Sequence, residues 1–232
     1  MSILTQFALC PYSRSIRLAL SELGIAFAIV DERPWDWRPQ FLALNPSGDL
    51  PVLQLADGLV VAGAYAISEY LDEMISRSAP EERSAELFPG TPDDRAEVRR
   101  LVDWFHGKLD REVTREMQRE RLYSRLRPDF AGHAPDPELL RALRANLRYH
   151  LGYIGWLADQ RRWLAGDEFS FADLAAASHL SCLDYIGEVP WADHPAARTW
   201  YRRIKSRPSF RPLLADRVPG VSPPAHYVEL DF

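Results

Sequence analysis

The hydrophobic rhythm of this chain changes once, near residue 76, and that change constrains the fold more than any other feature. Before it, short apolar runs of strand-like composition alternate with segments spaced for helices; after residue 92 every apolar stripe has helical spacing. Ile3 to Ala8 reads as a strand, and Pro11 follows where a helix can begin, because a first turn has no need of the donor that proline lacks. Ile16, Ala19, Leu20 and Leu23 fall on one helical stripe. Gly24 closes that helix, since glycine accepts the left-handed C′ position, and Ala26 to Val30 is again β-like. After the short segment Phe41-Leu42-Ala43-Leu44, two apolar runs, Pro51 to Leu55 and Leu59 to Ala62, flank Ala56-Asp57-Gly58, whose Asp-Gly pair favours a hairpin. Ala66 to Met74 returns to helical spacing, so the order is β-α-β-α-β-β-α.

Residues 76 to 92 are polar and punctuated by proline, as a connection between two packed units would be. Beyond them Asp93-Asp94 can start a long helix with Val98, Leu101, Val102, Phe105 and Leu109 on one stripe. Pro137 starts another that carries Leu140, Leu143, Leu147, Leu151, Ile154 and Leu157. Ser170-Phe171-Ala172-Asp173 has capping-box spacing and opens the apolar helix Leu174 to Ile186; an N-cap of this kind contributes about 1 kcal/mol to folding. The expected organisation is an α/β unit over 1–77, a linker over 78–92, an all-helical unit over 93–210 and an extended tail over 211–232.

At 232 residues the chain is long enough for two modest cores. A formal net charge of −5 gives no general attraction to nucleic acid or to an anionic membrane. No segment approaches the roughly twenty apolar residues that span a bilayer, and the N-terminus has no basic segment followed by an apolar run, so a cytoplasmic location is expected. Cys10 and Cys182 stand far apart with no metal or redox spacing, and none of the six histidines shows metal-ligand spacing; neither a disulfide framework nor a metal is expected. Cys182 lies on the apolar face of its helix and reads as core. No nucleophile-elbow, phosphate-loop or dinucleotide glycine pattern occurs.

The first eighty residues resemble the glutathione transferase superfamily. The resemblance is carried by Cys10-Pro11-Tyr12 with Ile16 to Leu20, by Asn45-Pro46-Ser47-Gly48-Asp49-Leu50-Pro51-Val52-Leu53, and by Ala66-Ile67 with Tyr70-Leu71. It implies an α/β thioredoxin-like N-terminal domain followed by an all-α C-terminal domain, with Pro51 in the cis form. It also implies that Cys10, Pro11, Tyr12, Leu50, Pro51, Gly63 and Ala64 line a glutathione site. In that family an acidic residue followed by serine holds the γ-glutamyl end of glutathione. Here Gly63 and Ala64 occupy those two positions, in a register fixed by Ala66-Ile67 and Tyr70-Leu71. Charge-assisted hydrogen bonds are worth about 1.5 to 3 kcal/mol each, so glutathione is expected to be at best a weak ligand, with Glu69 and Tyr65 as neighbouring groups that could compensate.

Cys10 has two readings. At a helix N-terminus its thiolate would be favoured by unpaired amides, and in a cysteine-type thiol transferase it would attack a mixed disulfide that glutathione then resolves. Equally, a free cysteine beside a first helix is often an inert packing residue. Trp35 and Trp37, set among Arg33, Pro34, Arg38 and Pro39, have the composition of a binding hot spot, although at least one ring is expected to fold back over the sheet. Arg115, Arg119, Arg121, Arg125 and Arg127, interleaved with glutamates, read as a solvated helix face or as a docking surface. The proline-set tail, ending in Tyr227, Asp231 and Phe232, can dock on its own chain or on a partner.

Four stretches narrow the resemblance: Arg33-Pro34-Trp35, Glu97 through Phe105, Tyr153 through Asp167, and His226 to Phe232. Together they resemble the FtsZ-localised branch of glutathione-transferase-like bacterial division proteins. That branch implies a homodimer that binds FtsZ filaments at the division site, needs no glutathione and requires no cofactor.

Overall fold

The computed structural model describes residues 1–77 and 86–230. Four strands, β1 (Ser2–Gln6), β2 (Phe27–Asp31), β3 (Val52–Gln54) and β4 (Val60–Ala62), form one mixed sheet in the order β2-β1-β3-β4. β1 runs parallel to β2, with Leu4 opposite Ile29, and antiparallel to β3, with Leu4 opposite Leu53. β4 completes the hairpin, its turn tied by the Asp57 carboxylate accepting from the Leu59 amide at 3.0 Å. Alternation along β3 sends Leu53 into the main core and Val52 into a second cluster with Phe41 and Leu50 on the opposite face.

Helix α1 (Pro11–Glu22) and helix α3 (Ala64–Ser76) pack on the main-core face, and α2 (Pro39–Leu44) covers the other. β1 ends at Gln6, two residues earlier than its apolar run suggests. Phe7 to Cys10 is a turn instead, closed by the Cys10 amide donating to the Phe7 carbonyl at 2.9 Å. β2 keeps Ile29 and Val30 exposed because it is the outermost strand.

A continuous helical run follows the connection, whose residues 78–85 lie outside the described ones. It comprises α4 (Pro92–Asp103), π-helical turns over Trp104–Thr114, α5 (Arg115–Gln118), further π turns over Arg119–Tyr123, and α6 (Ser124–Leu126). Its start is a full capping box: the Thr91 hydroxyl accepts from the Asp94 amide, and the Asp94 carboxylate accepts from Thr91. The widened π turns carry His106, Asp110 and Thr114 inward, toward the α/β unit.

Helices α7 (Pro137–Gln160), α8 (Phe171–Tyr185) and α9 (Pro195–Lys205) complete the helical unit, with α8 buried along its whole length. Six of its fifteen residues are alanine or serine, which lets the neighbouring helices approach closely. The Ser170–Asp173 capping box does more than terminate α8. The Asp173 carboxylate also accepts from the Leu164 amide at 3.1 Å and the Trp200 indole at 2.9 Å, so it joins α8 to α9 and to the loop between α7 and α8.

The tail departs from the extended segment that its prolines suggest. Arg211–Leu214 forms a short helix, α10, and Ala225–Tyr227 a single 3₁₀ turn. Tyr227, read from sequence as a candidate partner contact, is completely buried against the chain's own α1 and α8, because its hydroxyl is needed by the buried guanidinium of Arg14 at 3.0 Å. Asp231 and Phe232 lie outside the described residues.

Candidate functional site

A cleft of about 640 Å³ opens where the α/β unit meets the long helical run. Leu50, whose bond to Pro51 is cis, and Gly63, Ala64 and Tyr65 form one side. Cys10, Pro11 and Tyr12 form the floor, with Trp35 and Phe7 beside them, and Asp110, Arg115, Gln118 and Tyr123 close the helical side. Each wall follows from local sequence. Pro11 at the first helical position makes Cys10 the N-cap of α1, and its sulfur accepts from the Ser13 amide at 3.4 Å. Gly63, at φ +87°, is the N-cap of α3 and offers no side-chain acceptor, while its own amide donates to the Pro51 carbonyl at 2.9 Å. Pro51 itself does not line the cleft; it fixes the main chain that does.

The electrostatics do not favour an activated thiol. Burial pushes the Cys10 thiol above its ordinary value, and the hydrogen bonds from Ser13 and Tyr12 do not reverse this. Of the two readings of Cys10, burial favours the inert one: removal from water outweighs the amide hydrogen bonds, and nearby Asp110 acts in the same direction. Tyr12 is no better placed. Its hydroxyl donates to the His106 carbonyl at 2.6 Å, and burial together with Asp110 moves its pKa upward. Burial also raises Asp110 although Arg115 pairs with it at 2.8 Å. Cys182 is buried in the core, pushed up to about 12, and donates to the Leu9 carbonyl at 3.3 Å.

Neither neighbour compensates for the missing acid and hydroxyl. The Glu69 carboxylate is taken by Arg99 at 2.7 and 2.8 Å, and the Tyr65 hydroxyl points to Asp103 at 3.4 Å. The tryptophans divide their work. Trp35 turns inward, edge-on to Phe7 at 5.2 Å and under the Arg127 guanidinium at 5.8 Å. Trp37, in the left-handed region at φ +49°, lies over Gly48 and is 62% exposed. Arg115 lines the cleft. Arg119 lies outside it, 3.6 Å from Glu116 and over the Phe130 ring, and Arg121 pairs with Glu188, so most of the basic run is an ion-paired helix face. Asp110, Gln118 and Tyr123 were not apparent in the sequence as cleft residues. They stand about a hundred residues from Cys10, and no spacing signal links the two.

Behind the floor a neutral relay joins the two units. The His179 Nδ1 contacts the Thr114 hydroxyl at 2.9 Å, the two imidazoles meet at 3.0 Å, and the His106 Nε2 reaches the Ser15 hydroxyl at 3.1 Å. Ser15 donates onward to the Tyr12 carbonyl at 2.8 Å. One direction of donation satisfies every member only if both rings are neutral. Among the described residues no cluster of three histidine, cysteine or carboxylate groups is placed to hold a metal, and no helix is long and apolar enough to cross a membrane.

Two family models cover this architecture: the glutathione S-transferase N-terminal domain over residues 9–74 and its C-terminal domain over residues 118–208. The chain belongs to the glutathione S-transferase family. Within that family it is 47% identical to FtsZ-localized protein A of Caulobacter vibrioides over 99% of this chain and 97% of the relative. The solved structure of FzlA from C. crescentus superposes with a TM-score of 0.92 at 46% identity, covering 100% of this chain and 99% of that one. A glutathione S-transferase from Rhodospirillum rubrum superposes equally well, TM-score 0.92 at 48% identity, with each chain fully covered. The transferase architecture is thus retained through the tail, whereas the acid and hydroxyl of the γ-glutamyl grip are absent.

The buried histidine pair makes stability dependent on acid. Burial lowers His106 to about 3 and His179 well below its ordinary value, so the folded chain binds fewer protons than the unfolded chain. Stability is therefore present above pH 6.5 and is lost as pH falls below it, by about 2 kcal/mol at pH 5 for His106, with His179 acting in the same direction. Urea unfolding measured from pH 7.5 to pH 5 should show a shallower loss in His179→Gln than in the wild type. Equal slopes would contradict the neutral pair.

Proposed function

We propose that this chain is a non-enzymatic division factor of transferase fold that binds FtsZ filaments and is recruited with them to the division site. The observation that carries the reading is the state of the cleft. Gly63 and Ala64 replace the γ-glutamyl grip, Tyr12 is engaged with a carbonyl, and the Cys10 thiol is raised rather than activated. A fold kept over the whole length while the pair that holds the γ-glutamyl end is replaced supports a role for the protein's surface rather than for its cleft. The similarity to FtsZ-localized protein A, which extends over nearly the entire chain, supports FtsZ as the partner that the surface meets.

Trp37 is the natural anchor on that surface. It is a large exposed ring that ends a proline-started turn and lies beside Gly48, the kind of aromatic that serves as an anchor at an interface. Pelleting with polymerised FtsZ at micromolar protein is the test. Wild-type protein should co-sediment, and Trp37→Ala should weaken binding about tenfold. Failure of the wild-type protein to pellet with filaments would overturn the proposal.

Self-association belongs to the same reading. Tyr149, Tyr153 and Trp156 form an outward stripe on α7 opposite its leucine stripe, with Tyr149 60% and Trp156 55% exposed. Tyr153 bridges them to Trp104 at 4.6 Å. An exposed aromatic face of this kind suits burial against the same face of a second copy across a two-fold axis. Light scattering should give twice the 26.5 kDa chain mass for the wild type and the chain mass for Trp156→Glu. A wild-type mass equal to one chain would exclude the dimer.

A further inference from the structure

The last described segment wraps behind the cleft and shares residues with its wall. Val218, Val221 and Tyr227 bury a cluster with Leu9, Leu122 and Tyr185, and Phe7 and Tyr123 pack on this cluster from the cleft side. The polar ties are concentrated on Arg14, which is fully buried. Its Nε donates to the Ala8 carbonyl at 2.7 Å, and its Nη1 donates to the Ser181 hydroxyl at 2.8 Å and to the Tyr227 hydroxyl at 3.0 Å. The Tyr227 hydroxyl in turn donates to the Leu213 carbonyl at 3.1 Å. Asp216 holds Arg17 at 2.7 and 3.0 Å and lies 3.5 Å from Arg14. The same guanidinium therefore grips the turn that carries Cys10 and the strap that closes over it.

From this shared grip we infer that residues 213–230 act as a conformational strap, whose seating sets the position of the 7–10 turn and thereby the shape of the cleft. Lifting the strap withdraws Tyr227 and Asp216 from a buried cation, which cannot be left short of partners, so Arg14 and the Ala8 carbonyl move with it. The two arrangements are discrete because the apolar cluster is either packed or open. Coupling is reciprocal: an occupant of the cleft that presses on Phe7 and Tyr123 favours the seated strap, and a seated strap favours that occupant. The inference does not depend on what the occupant is, and it stands or falls separately from FtsZ binding.

Cys10 reports the floor directly. Its modification by N-ethylmaleimide, read by peptide mass spectrometry, is compared in full-length wild type, Tyr227→Phe and Val221→Ala, alongside hydrogen exchange of strap and α8 amides. Tyr227→Phe removes the hydroxyl from Arg14, and Val221→Ala thins the cluster without touching it. Both should raise the Cys10 rate, about tenfold for Tyr227→Phe, while α8 amides keep wild-type protection. Wild-type labelling rates in both variants would overturn the strap. So would a rise in labelling matched by equal loss of protection in α8, because that is global unfolding.

Discussion

A guanidinium removed from water must have its donors answered within the protein, and in this chain Arg14 is answered from three separate segments, two of them far away in sequence. Ala8 belongs to the turn after β1, Ser181 to the central helix of the helical unit, and Tyr227 to the C-terminal segment. Arg14 itself sits in α1. One cation therefore couples the α/β unit, the helical unit and the tail. The apolar cluster around Leu9, Tyr185 and Tyr227 forms around the same point. Replacing any one answering group leaves a buried charge incompletely paired, which is far less favourable than losing a surface ion pair.

That joint leaves a cleft with the outline of a transferase site, in which Gly63 and Ala64 stand where the family has an acid and a serine. Water is partly excluded, so Cys10, Tyr12 and Asp110 all shift toward their neutral forms. A catalytic site would offset burial with a cation or a set of amide donors aimed at the thiol. Here Arg115 faces Asp110 rather than the thiol, the amide donors at Cys10 do not offset its burial, and position 64 has no hydroxyl. The exposed Trp37 and the outward stripe on α7 are where the surface departs from an ordinary polar exterior.

Much of this was legible in the sequence because local chemistry dictated it. Pro11, Gly24, Asp57-Gly58 and the Ser170–Asp173 box mark element boundaries through backbone geometry and capping, and the structure places the elements within three residues of those marks. Gly63 and Ala64 could be read as a missing grip because the flanking residues fix their register. What could not be read was long-range. The burial that raises Cys10 comes from packing across the interface, and Asp110 reaches the cleft through a π-helical stretch that has no sequence signature. The inward fold of the tail likewise depends on Arg14, a residue that a helical pattern assigns to solvent.

A calorimetric titration with glutathione tests most directly the proposal that the transferase fold persists here without a working glutathione site. No saturable heat up to millimolar ligand is the expected result, because the ammonium and carboxylate of the γ-glutamyl end find neither the acid nor the hydroxyl that would hold them. Saturable binding with a micromolar Kd would contradict it and return Cys10 to consideration as a catalytic thiol.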